Sequence, residues 1–316
     1  MTLRIVARTS DVVAEGPVWH ADTERLYWVD IERGLLHCVE ASGANVETIR
    51  FPERIGSFAF REGGGLVVAL ERSIALCDGE GNALRRVFAN PEPRGATRFN
   101  DGKCDPAGRF WAGTLDLAFR QPLGSLYCLD RDLSVRRVIP DVCISNGLAW
   151  SPDGSKMYFA DSVTRRVDRY AFDAELGILG NGTPFVDTSP YPGMPDGGTV
   201  SDDGRYWLAM YDGGCVLVVG PEGDVRNRID LPVPRPTCCA FGGRDGRTLF
   251  ITCAADDPGV RAPAFEGASV LALDVDARGV PAAAFRGSAM PDSSGDGRPR
   301  VPLRRQREPC EGDQDR

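Results

Sequence analysis

The chain has 316 residues, of which 42% are apolar and 26% are charged, a balance typical of a soluble globular protein. A formal net charge of −8 argues against a nucleic-acid partner, which calls for a basic face, and offers no polybasic surface to an anionic membrane. No apolar run approaches the ~20 residues of a membrane span, and the N-terminus lacks a signal-peptide core, so we expect a cytoplasmic protein.

The ten cysteines and two histidines limit the metal chemistry that the chain can support. Most of the cysteines lie inside strand-like runs, where a reduced thiol behaves as a small apolar side chain. The close pair Cys238 and Cys239 does not have the spacing of a zinc site. With so few histidines, a His-rich metal site or a His-based triad is hard to build. Carboxylates and amides remain as candidate ligands.

Taken from its N-terminus, the chain repeats one pattern, in which a turn is followed by an aliphatic or aromatic strand. The first residues of these strands are Leu26, Leu66, Phe110, Met157, Tyr206 and Leu249. A third apolar strand follows in each repeat, at 34–40, 73–78, 124–130, 165–172, 214–220 and 268–275. A more polar fourth segment often comes next, at 45–51, 83–89, 134–140, 183–187 and 225–231. Four strands in roughly 40–50 residues, repeated, indicate a β-propeller blade.

Six copies predict an all-β fold, a six-bladed β-propeller with four antiparallel strands per blade, over residues 1–287. The strand at 2–7 is expected to be the outer strand of the last blade and to close the ring. A β-sandwich is the alternative, but sandwiches have no reason to repeat at this period. Residues 288–316 are rich in proline, glycine and charge, and predict a disordered tail. A partner-binding arm is the other interpretation of that tail.

Oxygen-bearing side chains recur at one position of the predicted innermost strands. Ten or eleven residues before the strand starts given above, the repeats have Glu15, Asn100, Asn146 and Asp196, while two repeats have Ile55 and Cys238. Such strands line the central channel of a propeller, so these four polar side chains are expected at one mouth of it. Burying them is costly unless something compensates. A divalent cation does so, and oxygen ligands suit Ca²⁺, Mg²⁺ or Mn²⁺, with Zn²⁺ or Fe²⁺ still open.

A purely structural interpretation stays open, because Asn and Asp followed by glycine also form turns at strand ends. Arg98 stands two residues before Asn100 and should point to the same face, where a guanidinium offers donors to substrate hydroxyls or to an oxyanion. A salt bridge at the rim is its alternative role. Asp30 and Asp161 are expected to initiate turns, and Asp116 is a candidate substrate contact.

Several separated motifs together resemble the regucalcin/gluconolactonase (senescence marker protein) family. They are Glu-Gly-Pro-x-Trp at 15–19, Arg-Phe-Asn-Asp-Gly-Lys at 98–103, Pro-Ala-Gly-Arg-Phe-Trp-Ala-Gly-Thr at 106–114, Ser-Asn-Gly-Leu-Ala-Trp-Ser-Pro-Asp-Gly at 145–154 and Pro-Asp-Gly at 195–197. The resemblance spans residues from about 10 to 287. It implies a six-bladed propeller, in agreement with the repeat count.

The resemblance also implies one divalent metal held by Glu15, Asn146 and Asp196, with Arg98 and Asn100 contacting substrate. The implied activity is hydrolysis of a sugar lactone to the aldonic acid. One departure concerns an acidic substrate contact of the family, which falls near Ala118 here, with Asp116 the nearest carboxylate. We expect a small-molecule substrate and a monomer or weakly associating homo-oligomer.

The expected mechanism is metal-assisted ester hydrolysis, in which a carboxylate moves a proton from water to the ring oxygen. Asp196 is the first candidate for that proton shuttle and Asp101 is the second. Two other functions stay open. One is a hydrolase of the same fold acting on phosphotriesters or aryl esters, which an apolar mouth would favour. The other is a non-catalytic propeller that binds a metal or a partner protein.

Overall fold

The structure, a computed structural model, describes residues 2–40, 43, 45–255 and 263–287. In this part of the chain six antiparallel sheets of four strands each form the blades of a propeller. The innermost strands of blades 1 to 6 are β2 (Ala14–His20), β6 (Ile55–Phe60), β10 (Thr97–Cys104), β14 (Ser145–Trp150), β18 (Met194–Val200) and β22 (Pro236–Gly242). The second strands are β3 (Arg25–Asp30), β7 (Leu66–Leu70), β11 (Phe110–Asp116), β15 (Lys156–Asp161), β19 (Tyr206–Tyr211) and β23 (Thr248–Cys253).

The third strands are β4 (Leu35–Glu40), β8 (Ser73–Cys77), β12 (Gly124–Leu129), β16 (Arg166–Asp173), β20 (Cys215–Val219) and β24 (Val270–Asp274). The outer strands of blades 1 to 5 are β5 (Glu47–Arg50), β9 (Arg85–Ala89), β13 (Val135–Val142), β17 (Ile178–Asp187) and β21 (Val225–Asp230). Short 3-10 helices cover Ala21–Thr23, Ser162–Thr164 and Pro263–Phe265. The predicted fold class is confirmed.

The ring closes through the N-terminal strand, as predicted. The strand β1 (Leu3–Ala7) pairs antiparallel with β24, with Leu3 opposite Leu273, and so becomes the outer strand of blade 6. The innermost strands also pack one against the next around the ring, and β22 of blade 6 packs against β2 of blade 1. The first and last parts of the propeller are therefore held together by backbone hydrogen bonds and by side-chain packing.

The hydrophobic core lies between neighbouring blades, because each sheet buries both faces against the next sheet. The second strands carry nearly continuous apolar runs for this reason, and β7, β11, β19 and β23 are almost wholly buried. Aromatic pairs join adjacent blades. Trp19 stacks on Phe250 at 5.6 Å between blades 1 and 6, and Trp111 meets Trp150 at 6.0 Å between blades 3 and 4.

Every innermost strand changes register near its start, which marks one end of the channel. The irregularities lie between Glu15 and Val18, Ile55 and Ser57, Phe99 and Gly102, Asn146 and Ala149, Pro195 and Gly198, and Pro236 and Cys238. Bulges of this kind bend a strand and re-aim its side chains. The six bulges therefore turn the first residues of the inner strands toward a common mouth.

The other end of the channel is crossed by the chain that follows β24. Gly279 bridges to Ser201 of blade 5, and farther on the amide of Phe285 donates to the carbonyl of Phe60 in blade 2 at 2.7 Å. Phe285 is fully buried in the core between blades 2 and 3. The predicted tail at 288–316 lies outside the described residues. No helix within the described ranges is long and apolar enough to cross a membrane.

Candidate metal centre

Glu15, Asn100, Asn146 and Asp196 lie in the first part of β2, β10, β14 and β18 and line one cavity of about 300 Å³ at the channel mouth. All four side chains belong to buried residues, with at most 8% of their surface exposed. Arg98 lines the same cavity from β10. The structure therefore brings together four oxygen-bearing residues and the arginine that sequence spacing singled out.

Glycines that follow two of these residues allow the backbone to turn there. Gly16 and Gly147 have φ of +55° and +69°, in the left-handed region that side chains other than glycine rarely adopt. At Gly147 a Cβ atom would also lie 2.8 Å from the hydroxyl of Tyr206, which donates to the Gly147 carbonyl. The Asn-Gly pair at 146–147 thus forms the bulge that aims the Asn146 amide into the mouth.

Three buried carboxyl groups share the mouth and the channel just below it. Burial raises the pKa of Glu15 to about 8, and the nearby charge of Asp101 contributes to this rise. Burial also raises the pKa of Asp196 well above its ordinary value, with Glu15 and Asp101 adding to the effect. Asp101 has a raised pKa from burial too, although Lys103 opposes the shift. The site therefore holds three acidic groups whose negative charge the surrounding protein only partly neutralises.

The two cations near these carboxyl groups have other hydrogen-bond partners. Lys103 donates through Nζ to the carbonyl of Gly198 at 2.7 Å. Arg98 donates through one terminal nitrogen to the Phe99 carbonyl at 2.9 Å and to Asn100 Oδ1 at 2.7 Å. Its Nε lies 4.0 Å from Glu32 Oε1. A bound cation would supply the positive charge that Arg98 and Lys103 do not bring into direct contact with the acids.

A chain of hydrogen bonds runs from blade 3 to blade 5 across the mouth. Asn100 Nδ2 donates to Asn146 Oδ1 at 3.0 Å and also to the Ser145 carbonyl at 3.0 Å. Asn146 Nδ2 donates to Ser162 Oγ at 2.9 Å, and Ser162 Oγ donates to the Pro195 carbonyl at 2.7 Å. Because an amide oxygen accepts two hydrogen bonds, Asn146 Oδ1 keeps one lone pair for a ligand.

This chain of hydrogen bonds changes what Asn100 can do. Both hydrogens of its Nδ2 are used, on Ser145 and Asn146, and its oxygen already accepts from Arg98. Only the second lone pair of that oxygen is left to accept a hydrogen bond from a substrate hydroxyl. In this structure Asn100 therefore positions Asn146 as well as lining the cavity.

Asp101 and Asp116 occupy different places from the cavity lining. Asp101 lies deeper, and its Oδ2 accepts the backbone amide of Leu148 at 3.0 Å. The carboxylate of Asp116 accepts the amides of Ala118, Arg120 and Gln121 at 3.2, 2.9 and 2.8 Å. These bonds, from Arg120 foremost, lower the pKa of Asp116. Asp116 thus holds the loop after β11 and does not line the cavity, and its predicted contact with substrate stays a prediction.

Asp30 and Asp161 organise the backbone beside the mouth through bonds other than those of the turn initiation predicted for them. Asp30 accepts the amides of Val12 and Val13 at 3.2 and 3.3 Å. Asp161 accepts the amides of Cys143 and Ile144 at 2.8 and 3.0 Å. In both blades, a carboxylate at the end of the second strand holds the segment that leads into the first strand.

Sequence reasoning missed other residues that line the cavity, among them Glu32, Phe119 and Ser162. Glu32 follows β3 and pairs with Arg54 at 2.9 Å, so it is a carboxylate at the rim. Ser162 directly follows the turn residue Asp161, and that adjacency was the available signal. Phe119 lies in the loop that Asp116 holds, and nothing in the repeat pattern pointed to it.

The donor set fits a hard divalent ion. Among the described residues, no three side chains of His, Cys, Asp or Glu form a metal-binding group by themselves. A site here therefore needs an amide, and Asn146 offers its oxygen at the mouth that Glu15 of blade 1 and Asp196 of blade 5 also line. Carboxylate and amide oxygens are the ligands that Ca²⁺ and similar ions prefer. The raised pKa values of Glu15 and Asp196 mark the buried negative charge that such an ion would neutralise.

Comparisons with known proteins show which family and which solved structures the chain is similar to. The family model described as "SMP-30/Gluconolactonase/LRE-like region" matches residues 13–255. A 6-deoxy-6-sulfogluconolactonase of Pseudomonas putida is 40% identical over 81% of this chain and 88% of its own. The pentonolactonase XacC of Haloferax volcanii is 38% identical over 81% of this chain and 87% of its own length. A solved luciferin-regenerating enzyme superposes with a TM-score of 0.81 at 29% identity, covering 90% of this chain and 99% of its own.

Proposed function

The chain belongs to the SMP-30/gluconolactonase/LRE-like family, and we propose that it hydrolyses a sugar lactone to the aldonic acid with one divalent cation. The family match confirms the resemblance found in the motifs. Two relatives at 40% and 38% identity are named lactonases, and each is covered over more than four fifths of its length. This supports a sugar lactonase as the enzyme class.

The observation that carries the proposal is the ring of buried oxygen donors at the mouth. Glu15, Asn146 and Asp196 would hold the cation through two carboxylates and one amide. Two negative charges from the protein match one divalent ion. When bound, the cation would act as a Lewis acid on the lactone carbonyl. Ca²⁺, Zn²⁺, Mg²⁺, Mn²⁺ and Fe²⁺ all remain candidates for the physiological ion.

The chain's own residues would move the protons. A water molecule adds to the lactone carbonyl carbon while a carboxylate takes one of its protons. The bond between that carbon and the ring oxygen then breaks, and the proton passes to the ring oxygen, giving the open hydroxy acid. Asp196, which lines the cavity, is the proposed shuttle. Asp101 is the second candidate, but it lies deeper and is held by Leu148.

Arg98 would orient the substrate from the floor of the cavity. Burial lowers the pKa of its guanidinium to about 10, so the group keeps its charge at neutral pH. The two nitrogens that do not serve Phe99 and Asn100 offer donors to substrate oxygens. Asn100 would contribute its remaining oxygen lone pair and the position of Asn146.

The test is a pH-stat screen of aldonolactones on metal-stripped protein, restored with each cation in turn. We expect turnover only with a cation, and a fall in kcat of about 100- to 10,000-fold on Asp196→Asn. Asp202→Asn is the matched control, since Asp202 is an exposed residue just beyond the opposite end of the same inner strand. Its activity should stay at the wild-type level.

Two outcomes would replace this proposal. Turnover of phosphotriesters or aryl esters, with aldonolactones left intact, would assign the other hydrolase class to the same mouth. Cation binding without hydrolysis of any of these esters would indicate a metal-binding propeller instead. Wild-type kcat in Asp196→Asn would remove Asp196 from the shuttle while leaving the enzyme class in place.

A further inference from the structure

The cavity at the mouth has a polar floor and an apolar rim. Phe119 and Val163 line it while 53% and 43% of their surfaces stay exposed, and Leu115 and Ile144 line it below them. Single exposed apolar side chains are common on protein surfaces, but these two border the same cavity as the candidate ligands. The rim is therefore a part of the substrate site whose chemistry differs from that of the floor.

Phe119 is held at the rim in an unusual backbone conformation. Its φ of +54° is in the left-handed region, which bulky residues rarely adopt. The Asp116 carbonyl accepts the Phe119 amide at 2.9 Å, and the Asp116 carboxylate accepts the amides on both sides of the loop tip. These bonds offset the unfavourable conformation, so Asp116 is a positioning residue for Phe119.

Two polar groups that line the cavity near the rim have partners within the protein. Glu32 pairs with Arg54 at 2.9 Å, and Ser162 Oγ both accepts from Asn146 and donates to the Pro195 carbonyl. A substrate hydroxyl that lay against the side chains of Phe119 and Val163 would find no hydrogen-bond partner on either of them, and the water it lost there would not be replaced, which is unfavourable. A methyl group in the same place would gain by burial.

We propose that Phe119 determines specificity and selects lactones whose distal carbon, away from the carbonyl, carries a methyl or short alkyl group instead of a hydroxyl. This inference rests on the proposed lactonase function and names the substrate class for the same site. The hydroxyls near the carbonyl would still meet Arg98 and Asn100 on the floor. The substrate would thus be a deoxygenated sugar lactone, polar at one end and apolar at the other.

A matched pair of lactones tests this. L-Rhamnono-1,4-lactone and L-mannono-1,4-lactone differ only in the hydroxyl on carbon 6, which the first compound lacks. The full chain, loaded in turn with Ca²⁺ and Zn²⁺, should show a kcat/KM about tenfold higher for the rhamnonolactone than for the mannonolactone. The difference should come mainly from a lower KM for the rhamnonolactone. The matching lactams, which are not opened under these conditions, report the same preference as a ratio of Kd values by calorimetry.

The variant Phe119→Asn replaces the ring by a polar side chain while keeping the backbone, because asparagine tolerates the left-handed region. It should bring both ratios close to one and leave the Kd for the cation unchanged. Asp116→Ala should lower both ratios in the same way, whereas a purely structural role would lower kcat for both lactones equally. Leu176→Asn is the control, since Leu176 is 58% exposed on the β16–β17 turn, and both ratios should stay as in the wild type.

The outcomes separate the two proposals. Turnover of both lactones at equal rates, or with the hydroxylated one preferred, overturns the inference about Phe119 and leaves the lactonase function standing. Unchanged ratios in Phe119→Asn overturn it as well. Loss of turnover for every lactone, with the tenfold Kd ratio of the lactams retained, overturns the proposed function and supports the apolar rim.

Discussion

Replacing Ser162 by alanine tests how the cation site is held. The Ser162 hydroxyl is buried, accepts from Asn146 Nδ2 at 2.9 Å and donates to the Pro195 carbonyl at 2.7 Å. Its removal leaves a buried donor and a buried acceptor without partners, at about 1–3 kcal/mol each in the free energy of unfolding. It also frees the Asn146 amide to rotate away from the cation. Loss of such a supporting hydrogen bond weakens metal binding by about 10- to 100-fold, or roughly 1.4–2.7 kcal/mol.

The assay is calorimetric titration of metal-stripped protein with Ca²⁺, together with urea unfolding of the same samples. Ser201→Ala is the matched control. Its hydroxyl is also buried, accepts from Trp207 Nε1 at 3.1 Å and donates to Asp203 at 2.6 Å, but it lies at the opposite end of blade 5. Both variants should lose stability, and only Ser162→Ala should lose affinity. A wild-type Kd in folded Ser162→Ala, or an equal loss in Ser201→Ala, would refute the reasoning.

Three further predictions concern the fold. Phe285→Ala should lower the free energy of unfolding by about 3–5 kcal/mol in urea titration, because the ring is fully buried, whereas Val280→Ala on the same segment, 42% exposed, should change it by less than about 0.5 kcal/mol. The nine described cysteines are buried, so in a Cys310→Ala background a thiol reagent at pH 8 should label the protein only after unfolding, and rapid labelling of the native protein would contradict this. Burial alone raises the pKa of Asp11, but the His37 ring, whose Nε2 lies 3.1 Å from Asp11 Oδ1, and hydrogen bonds from Trp28 and Thr9 outweigh burial and lower the pKa below its ordinary value of 3.8. The wild type should therefore be more stable than Asp11→Asn by a constant amount above pH 3.8, and this difference should disappear as the pH falls below that value. A difference in urea midpoints between the two proteins that does not change with pH would contradict the assignment.

The repeat of turn and apolar strand was enough to predict the propeller. Each second strand is buried on both faces between blades, which requires a continuous apolar run, and such runs are visible in sequence. The outer strands were harder, since they are half exposed. The strand β17 extends over Ile178–Asp187, whereas only 183–187 was predicted, because Gly180 and Gly182 suggest a turn. In the structure Leu179 and Gly182 pair with Phe172 and Tyr170 of β16 instead.

The candidate site was predictable as far as it depends on position within a blade. Counting back from the second strand found Glu15, Asn100, Asn146 and Asp196, because equivalent residues of each inner strand reach the same mouth. Contacts between blades could not be found in this way. The bond from Asn146 to Ser162 lies within blade 4, but that from Ser162 to Pro195 depends on how blades 4 and 5 pack. The loop-holding role of Asp116 likewise needs the backbone conformation of the residues after it.

The candidate ligands are held by two different means. Asn146 and the strand of Asp196 are linked directly, because Ser162 joins the Asn146 amide to the carbonyl of Pro195, the residue before Asp196. Glu15 on blade 1 is instead positioned through its contacts with blade 6. Thr237 of β22 donates to the carbonyl of Ala14, and blade 6 is itself completed by β1. The position of Glu15 relative to Asp196 therefore depends on closure of the ring by the N-terminal strand, which couples the geometry of the cation site to the stability of the whole propeller.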